Sequence, residues 1–364
     1  MNDAGQQIVL EKELEKRREK IYNYLLSKEY VERFSPPHLR EAVYSYIRQG
    51  GKSLRPALLL FSCGAVGGDE DKAIPAAAAI EMYHTWTLVH DDIIDRDNKR
   101  RGALTVHEEW RRKALELDYQ NEEAYHYGLS VAILAGDVQH SWAISLLCEL
   151  YTRYGISPSL VVRLIENLET YVMTALAEGE ALDIQFCQSP VESLSEKEII
   201  KMLWGKTGAL YEFAARAGAM IGLETEELRH PLVEAIAKFA TNCGIAFQLQ
   251  DDILGVIGNE KLLGKPVGSD LREGKRTIII HHVFQRADQA QKNKLLKVLG
   301  NRFATPEEVH EVTELLKALG GVEYTRDLAR ALIRQAMEYL QPLPASEYKE
   351  LLLGWANYMI EREF

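Results

Sequence analysis

Two aspartate clusters are the residues of this sequence best suited to chemistry, and the first lies in LVHDDIIDRDNKRRG at 88–102. At about 100° per residue, a helix brings Asp91 and Asp95 one turn apart on one face, with Asp92 beside them. Three carboxylates this close repel one another unless positive charge lies among them. Oxygen ligands with few other protein ligands nearby suit Mg²⁺, which keeps water molecules and shares the phosphates of a substrate.

The helix before this cluster favours a metal site over the ordinary alternative, a solvated acidic face. Residues 73–90 are rich in Ala and largely apolar, so we expect this helix to be buried. Moving back from Asp91 and Asp92 by helical turns leads to His84 and Glu81, a polar stripe on an otherwise apolar helix. Such a stripe usually lines a cavity that holds water or a ligand, because buried polar groups need partners.

The second cluster ends another apolar helix, where Asp251 and Asp252 follow Gln248 on the same face. One turn after Asp251 the sequence has Gly255, so this cluster lacks the third carboxylate of the first. We expect Asp270, in the following loop, to supply it.

Cations accompany both clusters. A loop at 255–275 is rich in Gly and Lys, which is the composition expected where backbone approaches a phosphate. Two acidic metal sites together with several Arg and Lys imply substrates with more than one polyanionic group, and diphosphates fit because Arg grips them in bidentate fashion. These cations are Lys52, Arg55, Arg100, Arg101, Lys206, Lys265 and Lys275.

Helices must position these residues, because apolar residues recur at three- and four-residue spacing through most of the chain. The clearest segments are 8–30, 121–153, 158–186, 195–221, 226–254 and 321–341. Ser195 with Glu198 predicts a capping box, and Thr305 followed by Pro306 and Glu308 predicts another helix start. The strand-like run at 277–280 is predicted to be a buried helix, since its flanks are helical in pattern.

The organisation indicated is one large all-α domain over 1–364, because neither a linker nor a repeat divides the chain. It has an N-terminal helix over 1–30 and a charged segment at 105–128 that we expect to be a surface insertion. We expect no spanning helix, which needs ~20 apolar residues, and no signal peptide. The four cysteines have no close pair, which argues against a cysteine zinc site or disulfide framework and favours a reduced, cytoplasmic setting.

Composition narrows the class of partner. The 364 residues carry 43 Lys and Arg against 54 Asp and Glu, a formal net charge of −11. A nucleic-acid-binding protein would show a basic excess, and attachment to an anionic membrane would need a polybasic face. We therefore expect neither nucleic acid nor membrane insertion.

Several motifs in a fixed order resemble the trans-type polyprenyl diphosphate synthases, the short-chain isoprenyl diphosphate synthases. The resemblance runs from about residue 50 to 275 and implies the all-α isoprenoid synthase type I fold. That fold is a single helical bundle around a deep central cavity, with the aspartate motifs facing each other across its mouth. The motifs are GGKSLRP at 50–56, DDIID at 91–95, RRG at 100–102, GD at 136–137, KTG at 206–208, FQLQDD at 247–252 and GKPVGSDLREGK at 264–275.

The resemblance implies a role for each matching residue. The metal ligands implied are Asp91, Asp95, Asp251 and Asp270, with Asp92 in support, for three Mg²⁺ per active site. Isopentenyl diphosphate would be bound by Lys52, Arg55, His84 and Arg101. The allylic diphosphate would be held by Arg100, Lys206, Thr207, Gln248, Lys265 and Lys275. The catalytic set implied is Asp91, Asp92, Asp95, Arg100, Lys206, Thr207, Gln248 and Asp251.

The implied reaction is a head-to-tail condensation of isopentenyl diphosphate with an allylic diphosphate. Magnesium and cations stabilise the departing diphosphate, the isopentenyl double bond attacks the allylic cation, and a proton passes to the released diphosphate. Thr207, the carbonyl of Lys206 and Gln248 would present oxygen dipoles to the cation. The family habit also implies a homodimer.

Product length is expected to depend on the helix that precedes the first cluster. Thr87, Trp86 and Tyr83 lie ~6, ~7.5 and ~12 Å below Asp91 along that helix, and an aromatic residue five positions upstream resembles archaeal-type geranylgeranyl diphosphate synthases. Geranylgeranyl diphosphate is thus the product we favour. Because an ideal helix puts Trp86 about 140° around from Asp91, Tyr83 could close the cavity instead, and farnesyl diphosphate stays the alternative.

Two other classes stay open at this point. A terpene cyclase would lack GGKSLRP and would carry an Asn/Ser/Glu metal motif in place of DDILG. A non-catalytic regulatory subunit of a prenyltransferase would have lost metal ligands, whereas the first motif is complete here.

Overall fold

The computed structural model describes residues 3–257 and 268–361, which are helical apart from short turns and one hairpin, so the all-α prediction is confirmed. The hairpin strands are β1 (Lys99–Arg100) and β2 (Ala103–Leu104). The α-helices in chain order are α1 (Asp3–Leu25), α2 (Lys28–Val31), α3 (Pro37–Gln49), α4 (Leu54–Ala65), α5 (Ile74–Ile94), α6 (Val106–Glu116), α7 (Asn121–Tyr154), α8 (Pro158–Glu166), α9 (Met173–Gln188), α10 (Glu196–Leu203), α11 (Ala209–Leu223), α12 (Pro231–Ile257), α13 (Ser269–Glu273), α14 (Ile278–Arg286), α15 (Gln289–Val298), α16 (Pro306–Ala318), α17 (Gly321–Tyr339) and α18 (Glu347–Glu361).

The residues form two compact units, each made of discontinuous stretches of chain. The first unit comprises Met1–Ile165, Ala214–His230 and Ala345–Leu351. The second comprises Glu166–Phe213, Pro231–Pro344 and Leu352–Phe364. The first aspartate cluster belongs to the first unit and the second cluster to the second unit.

The centre of the first unit is the pair α5 and α7, which pack along each other, with α6 lying against α7. The first turns of α5 are buried throughout, from Ile74 to Met82, as predicted for this Ala-rich segment. Small side chains allow α5 to approach its neighbours closely, so its C-terminal aspartates are carried on a rigid element.

Helix α7 has 34 residues and is long and apolar enough, by length and composition alone, to cross a membrane. Half of its most apolar 18-residue window is buried inside the protein. A core helix of a globular domain has the same property, so the hydropathy of α7 does not by itself distinguish a buried core helix from a membrane-spanning one.

The centre of the second unit is α12, which packs along α17. The predicted helix at 277–280 is confirmed as the start of α14, whose Thr277 hydroxyl accepts a hydrogen bond from the Ile280 amide at 3.4 Å. Its isoleucines are buried in a core that α12, α15, α16 and α17 also supply. Burial of a short apolar run is compatible with either a helix or a strand. This run is helical because the residues after it continue the helix to Arg286.

The capping predictions are confirmed at both sites. The Ser195 side chain and Glu198 form a capping box at α10, and Thr305 with Glu308 forms another at α16, where Pro306 is the first helical residue. Each box satisfies two backbone N–H groups that would otherwise lack an intrahelical partner.

Several predicted helix boundaries were wrong. The segment at 158–186 is interrupted by a π-helical turn at Asn167–Val172, and the segment at 195–221 by another at Trp204–Gly208. A π turn inserts one residue without changing the apolar spacing much, so periodicity does not detect it. Helix α12 begins only at Pro231, and α1 ends at Leu25 before the single turn of α2.

The charged segment at 105–128 forms α6 and the first turns of α7. It contributes core side chains as well as charged ones, since Val106, Trp110 and Ala114 are buried.

Candidate active site

The first aspartate cluster lies at the C-terminal end of α5. The helix ends at Ile94, and the amide of its C-cap residue Asp95 donates to the Asp91 carbonyl at 2.8 Å. One carboxylate oxygen of Asp91 lies within 4.8 Å of one of Asp95. The two side chains therefore present a pair of oxygen ligands from one face of the helix.

Asp92 has a different environment, because it is only 1% exposed and is held by Arg100. The Arg100 Nε donates to both Asp92 oxygens at 3.0 and 2.9 Å, and its Nη2 donates to Oδ1 at 2.7 Å. The Tyr46 hydroxyl donates to Asp92 as well. Arg100 Nη2 also lies 3.4 Å from Asp91 Oδ2, so its charge stands among the carboxylates of the cluster. Burial acts to lower the pKa of Arg100, but the ion pair with Asp92 outweighs it and the pKa is raised.

The RRG motif is the turn of the hairpin that brings Arg100 to this place. Strand β1 pairs antiparallel with β2, Lys99 opposite Leu104 and Arg100 opposite Ala103. The two loop residues, Arg101 and Gly102, both have positive φ, at 52° and 78°. Positive φ at both central residues is typical of a type I′ turn, which is common in two-residue hairpin loops because its twist matches that of the flanking strands.

The GGKSLRP motif forms a tight connection between α3 and α4, and Arg101 holds it. Arg101 Nη1 donates to the Gly50 carbonyl, and Arg18 from α1 donates to the Gly51 carbonyl at 3.4 Å. Gly50 has φ of 76°, and Ser53 at the α4 N-cap is also left-handed, with φ of 46°. The connection therefore adopts a backbone conformation that its neighbours must support.

The buried Glu81 of α5 is hydrogen-bonded to the GGKSLRP connection through Ser53. It is 6% exposed and accepts hydrogen bonds from the Ser53 hydroxyl and from the Tyr22 hydroxyl of α1, each at 3.2 Å. Burial raises the pKa of Glu81, although the nearby Arg101 guanidinium acts in the opposite direction. The polar stripe predicted on α5 thus includes a residue that ties α1, α4 and α5 together.

His84, the next member of the stripe, lies against Arg55. The Arg55 Nη1 and His84 Nε2 are 3.2 Å apart. Because a guanidinium is only a donor, Nε2 must accept, and the proton of the neutral ring is assigned to Nδ1. Burial and the positive Arg55 hold the pKa of His84 well below its ordinary value. Of the four residues predicted to bind isopentenyl diphosphate, Arg55 and His84 therefore contact each other. Arg101 donates to the GGKSLRP connection from the hairpin, and Lys52 is an exposed residue of that connection.

The residues predicted to limit product length differ in burial. Tyr83 is fully buried, whereas Trp86 and Thr87 are half-buried. The Thr87 hydroxyl donates back to the His84 carbonyl at 2.8 Å. The Tyr83 and Trp86 rings meet edge-on with centroids 5.0 Å apart.

The second aspartate cluster opens into a cavity of about 250 Å³ in the second unit. Burial and the like charge of Asp270 raise the pKa of Asp252 well above its ordinary value. No described residue donates a hydrogen bond to the buried Oδ2 of Asp252. The polar residues lining the cavity include Lys206, Gln248, Asp251, Asp252, Asp270 and Lys275.

Gly255 and the carboxylate of Asp270 are in close contact at this cavity. A Cβ atom at position 255 would lie 2.5 Å from Asp270 Oδ2, and the Gly268 amide donates to the Gly255 carbonyl at 3.2 Å. The residues from Gly268 to Asp270 therefore lie against Gly255 and bring a carboxylate close to Asp252. Lys275 follows, with its Nζ 3.7 Å from Asp270 Oδ1. The predicted site residue Lys265 lies outside the described residues.

The KTG motif lies in the π-helical turn Trp204–Gly208, a kind of distortion that is frequent at functional sites. Lys206 Nζ lies 2.7 Å from Asp183 Oδ2 and 2.9 Å from Glu180 Oε2. A side chain at Gly179 would collide with the Lys206 amide, so α9 and this turn are in close backbone contact.

Thr207, Gln248 and Asp252 form one hydrogen-bonded chain. The buried Thr207 hydroxyl donates to Gln248 Oε1 at 3.0 Å, and Gln248 Nε2 donates to Asp252 Oδ1 at 3.2 Å. This assignment of the amide is the one that satisfies both neighbours. Gln248 thus faces the cavity, and Thr207 reaches it through Gln248.

Sequence reasoning missed several residues that hold these groups, namely Tyr22, Tyr46, Glu180 and Asp183. Glu180 and Asp183 are three residues apart on α9, a spacing that is common on exposed helices and so gave no signal. The stripe on α5 pointed to Glu81 without indicating its partners.

The donor sets fit magnesium. Asp91 and Asp95 offer adjacent oxygens, and Asp251, Asp252 and Asp270 are assembled although their charges repel. Mg²⁺ prefers carboxylate oxygens and takes only a few of them. A divalent cation would offset both the burial and the like charge of Asp270, which together raise the pKa of Asp252.

Comparison of the sequence with known proteins finds relatives that match most of the chain. The polyprenyl synthetase family matches residues 36–316. The geranylgeranyl diphosphate synthase of Saccharolobus solfataricus is 36% identical over 326 residues, which cover 89% of this chain and 90% of that protein.

Solved structures agree with this relationship. The geranylgeranyl pyrophosphate synthetase of Pyrococcus horikoshii Ot3 has 36% identity and a TM-score of 0.81, with 100% of both chains covered. The geranylgeranyl pyrophosphate synthase of Corynebacterium glutamicum, complexed with isoprenyl diphosphate and magnesium, has 27% identity and a TM-score of 0.85, with 97% of this chain and 99% of that chain covered. Matched over most of its length by the family and by these proteins, the chain belongs to the polyprenyl synthetase family.

Proposed function

We propose that this protein is a magnesium-dependent prenyltransferase that condenses isopentenyl diphosphate with allylic diphosphates and releases all-trans geranylgeranyl diphosphate. The observation that carries the proposal is that the three aspartates at the end of α5 have different environments. Asp91 and Asp95 offer a pair of oxygens within 4.8 Å, while Arg100 neutralises the buried Asp92 beside them. This arrangement suits a metal-bound diphosphate better than a solvated acidic surface.

The metal ligands we propose are Asp91 and Asp95 in the first unit, and Asp251 and Asp270 in the second. When bound, Mg²⁺ neutralises diphosphate oxygens and so stabilises the leaving group. The third position of the second motif is Gly255, and we propose that Asp270 takes its part, since its carboxylate occupies the space beside that glycine.

The cations around the GGKSLRP connection are proposed to bind isopentenyl diphosphate. Arg55 and Arg101 can form two parallel hydrogen bonds to phosphate oxygens, and Lys52 adds an exposed point charge. We assign His84 to orienting the Arg55 guanidinium by accepting its N–H, because the ring is neutral. Its Nδ1–H stays a donor for a phosphate oxygen.

Lys206, Gln248, Thr207 and Lys275 are proposed to act on the allylic substrate, together with Arg100 and Lys265. The reaction breaks the carbon–oxygen bond to the allylic diphosphate and forms a carbon–carbon bond to the isopentenyl double bond. The proton lost from the isopentenyl unit passes to the released diphosphate. We propose that Gln248 Oε1, which accepts a hydrogen bond from Thr207, presents an oxygen dipole to the allylic cation.

Product length is proposed to be set by the side of α5 that bears Trp86 and Tyr83. A half-buried indole five residues before Asp91 supports geranylgeranyl diphosphate, as does the likeness to the named synthases above. Farnesyl diphosphate stays the alternative, because Tyr83 is fully buried and packs against the indole.

The test is incubation of the full chain with Mg²⁺, isopentenyl diphosphate and dimethylallyl, geranyl or farnesyl diphosphate in separate reactions, followed by product analysis. We expect each primer to be extended to geranylgeranyl diphosphate. Failure to extend farnesyl diphosphate would favour the farnesyl alternative. Cyclic hydrocarbons without isopentenyl diphosphate would indicate a cyclase, and the lack of any elongated product would contradict the enzyme assignment.

We also propose a homodimer, with α7 in the interface. Helix α7 exposes Tyr125, Ile133, Leu134 and Tyr151, which are 46–54% accessible. Light scattering of the purified chain should give twice the mass of 41.3 kDa, and a monomeric mass at micromolar concentration would contradict the proposal.

A further inference from the structure

Four aromatic rings join α5 to α7 within the first unit: Tyr83, Trp86, His90 and His140. The Trp86 ring lies edge-on to His140 with centroids 4.8 Å apart, and to His90 with centroids 5.8 Å apart. Tyr83 packs against the same His140 at 5.3 Å. Trp86, the residue to which we assign the limit on product length, is therefore surrounded by two histidines from different helices.

His90 makes the polar contact to Trp86. The indole Nε1–H donates to His90 Nδ1 at 3.1 Å. Because Nδ1 accepts, the ring N–H is assigned to Nε2, which faces the Ile133 carbonyl of α7 at 3.4 Å. The ring thus connects the indole on one side with the α7 backbone on the other.

The α7 backbone leaves room for His90 only because residue 136 is glycine. A Cβ atom at Gly136 would collide with His90 Nε2, and the other ring atoms lie close behind. The GD motif at 136–137, to which the proposed reaction gives no task, therefore provides the space in which the imidazole fits.

The orientation of Trp86 is not fixed by burial alone, since the side chain is half-buried and an indole can occupy several rotamers. Contacts between ring edges alone restrict χ2 weakly, whereas a hydrogen bond from Nε1 selects one orientation. An indole that swings away would open space along α5 for a longer hydrocarbon chain.

We propose that His90 is a positioning residue for product length, which fixes the Trp86 indole against α7 and so sets the point at which elongation stops. This inference rests on the proposed function, and it adds His90 and Gly136 to the residues that determine specificity.

The test measures the ratio of products longer than geranylgeranyl diphosphate to geranylgeranyl diphosphate itself. His90→Ala should raise this ratio about five-fold, the factor that corresponds to one net hydrogen bond. Trp86→Phe keeps an aromatic ring but removes the N–H, so it should give a similar rise. His90→Asn keeps an acceptor near the Nδ1 position and should restore much of the wild-type ratio.

The double variant Trp86→Phe/His90→Ala should exceed neither single variant, because both remove the same hydrogen bond. The matched control is His38→Ala, which removes a histidine packed edge-on to Trp110 at 5.6 Å and should leave the ratio unchanged. If circular dichroism shows that His90→Ala does not fold, the product ratio of Trp86→Phe is the deciding measurement.

An unchanged ratio in an active His90→Ala or Trp86→Phe enzyme, or additive effects in the double variant, would overturn the inference while leaving the prenyltransferase assignment intact. Lack of elongation by the wild-type chain would instead contradict the proposed function.

Discussion

The carboxylate of Asp270 occupies the space into which a side chain at Gly255 would project, since a Cβ there would lie 2.5 Å from Asp270 Oδ2. The second motif has glycine in place of a third aspartate, and the carboxylate of Asp270, fifteen residues later, fills the space that this glycine leaves. A glycine at 255 is what allows the chain at 268–270 to bring its own carboxylate beside Asp251.

This relationship predicts that Gly255→Ala displaces Asp270. The added methyl group should raise the Mg²⁺ concentration needed for half-maximal rate about ten-fold, which corresponds to ~1.4 kcal/mol. The measurement is the rate of prenyl transfer over a magnesium titration. Leu254→Ala, on the same turn of α12, is the control and should leave that concentration unchanged. An unaltered magnesium dependence in Gly255→Ala would show that Asp270 needs no fixed place.

The ion pair between Arg100 and Asp92 predicts a large loss of stability in Arg100→Ala. Asp92 is 1% exposed and Arg100 20% exposed, so the variant leaves a buried carboxylate without its partner. Removing one partner of a buried pair typically costs 3–5 kcal/mol. Chemical denaturation should show a fall of ~3 kcal/mol in the free energy of unfolding.

The control for this experiment is Arg326→Ala, whose pair with Glu323 is exposed and should contribute less than ~1 kcal/mol. Equal losses in the two variants would mean that Asp92 is effectively solvated. The double variant Arg100→Ala/Asp92→Asn should recover part of the stability, because it removes the uncompensated charge.

Asp91→Asn and Asp95→Asn should each nearly abolish turnover, by about 10² or more, because each removes a charged oxygen ligand from a transition state that depends on leaving-group stabilisation. Their thermal stability should equal or exceed that of the wild type, since like charges are removed. Steady-state rates and melting curves test both points. Asp118→Asn changes an exposed aspartate in the same way and should do neither. Near-normal turnover in Asp91→Asn would contradict the metal assignment.

The local parts of this site could be predicted from sequence. Helical periodicity places Asp91 and Asp95 on one face, and a capping box needs only Ser195 and Glu198 three residues apart, so short-range rules suffice. The isoleucine run after Thr277 is helical because its neighbours extend the helix, which is also a local property.

The partners of these residues could not be predicted, because they depend on how distant segments meet. Arg100 reaches Asp92 only because a type I′ turn at Arg101 and Gly102 folds the chain back, and the charge pattern of the sequence did not indicate this partner. The pairing of Lys206 with Asp183 depends on a π turn that leaves no periodic signal. Tertiary contacts decide such pairings, and a single sequence contains no direct record of them.

His84 predicts a pH dependence of stability. Its pKa is held well below the ~6.5 of an unfolded histidine. Below pH ~6.5 the unfolded chain therefore binds a proton that the folded protein does not, so stability falls as the pH is lowered towards the folded pKa, by up to ~1.4 kcal/mol per pH unit. His84→Gln should remove this contribution while its amide oxygen can still accept from Arg55.

The measurement is the difference in unfolding free energy between wild type and His84→Gln from pH 7.5 to 5. The unfolding free energy of the wild type minus that of His84→Gln should become smaller as the pH falls, because only the wild type loses the contribution of His84. His126→Gln, the same substitution at an exposed position on α7, is measured alongside it. A constant difference for His84→Gln would mean that the folded protein protonates His84 readily.

Trp86→Ala predicts a change of product rather than of rate. Removing the indole opens space beside the Tyr83 and His140 rings, against which it packs, so we expect products longer than geranylgeranyl diphosphate by at least one isoprene unit. Chromatography of dephosphorylated products from farnesyl diphosphate tests this. Trp110→Ala makes the same truncation in α6 and should alter stability without altering product length. If the products of Trp86→Ala are unchanged and those of Tyr83→Ala are longer, then the buried tyrosine, and not the indole, limits the growing chain.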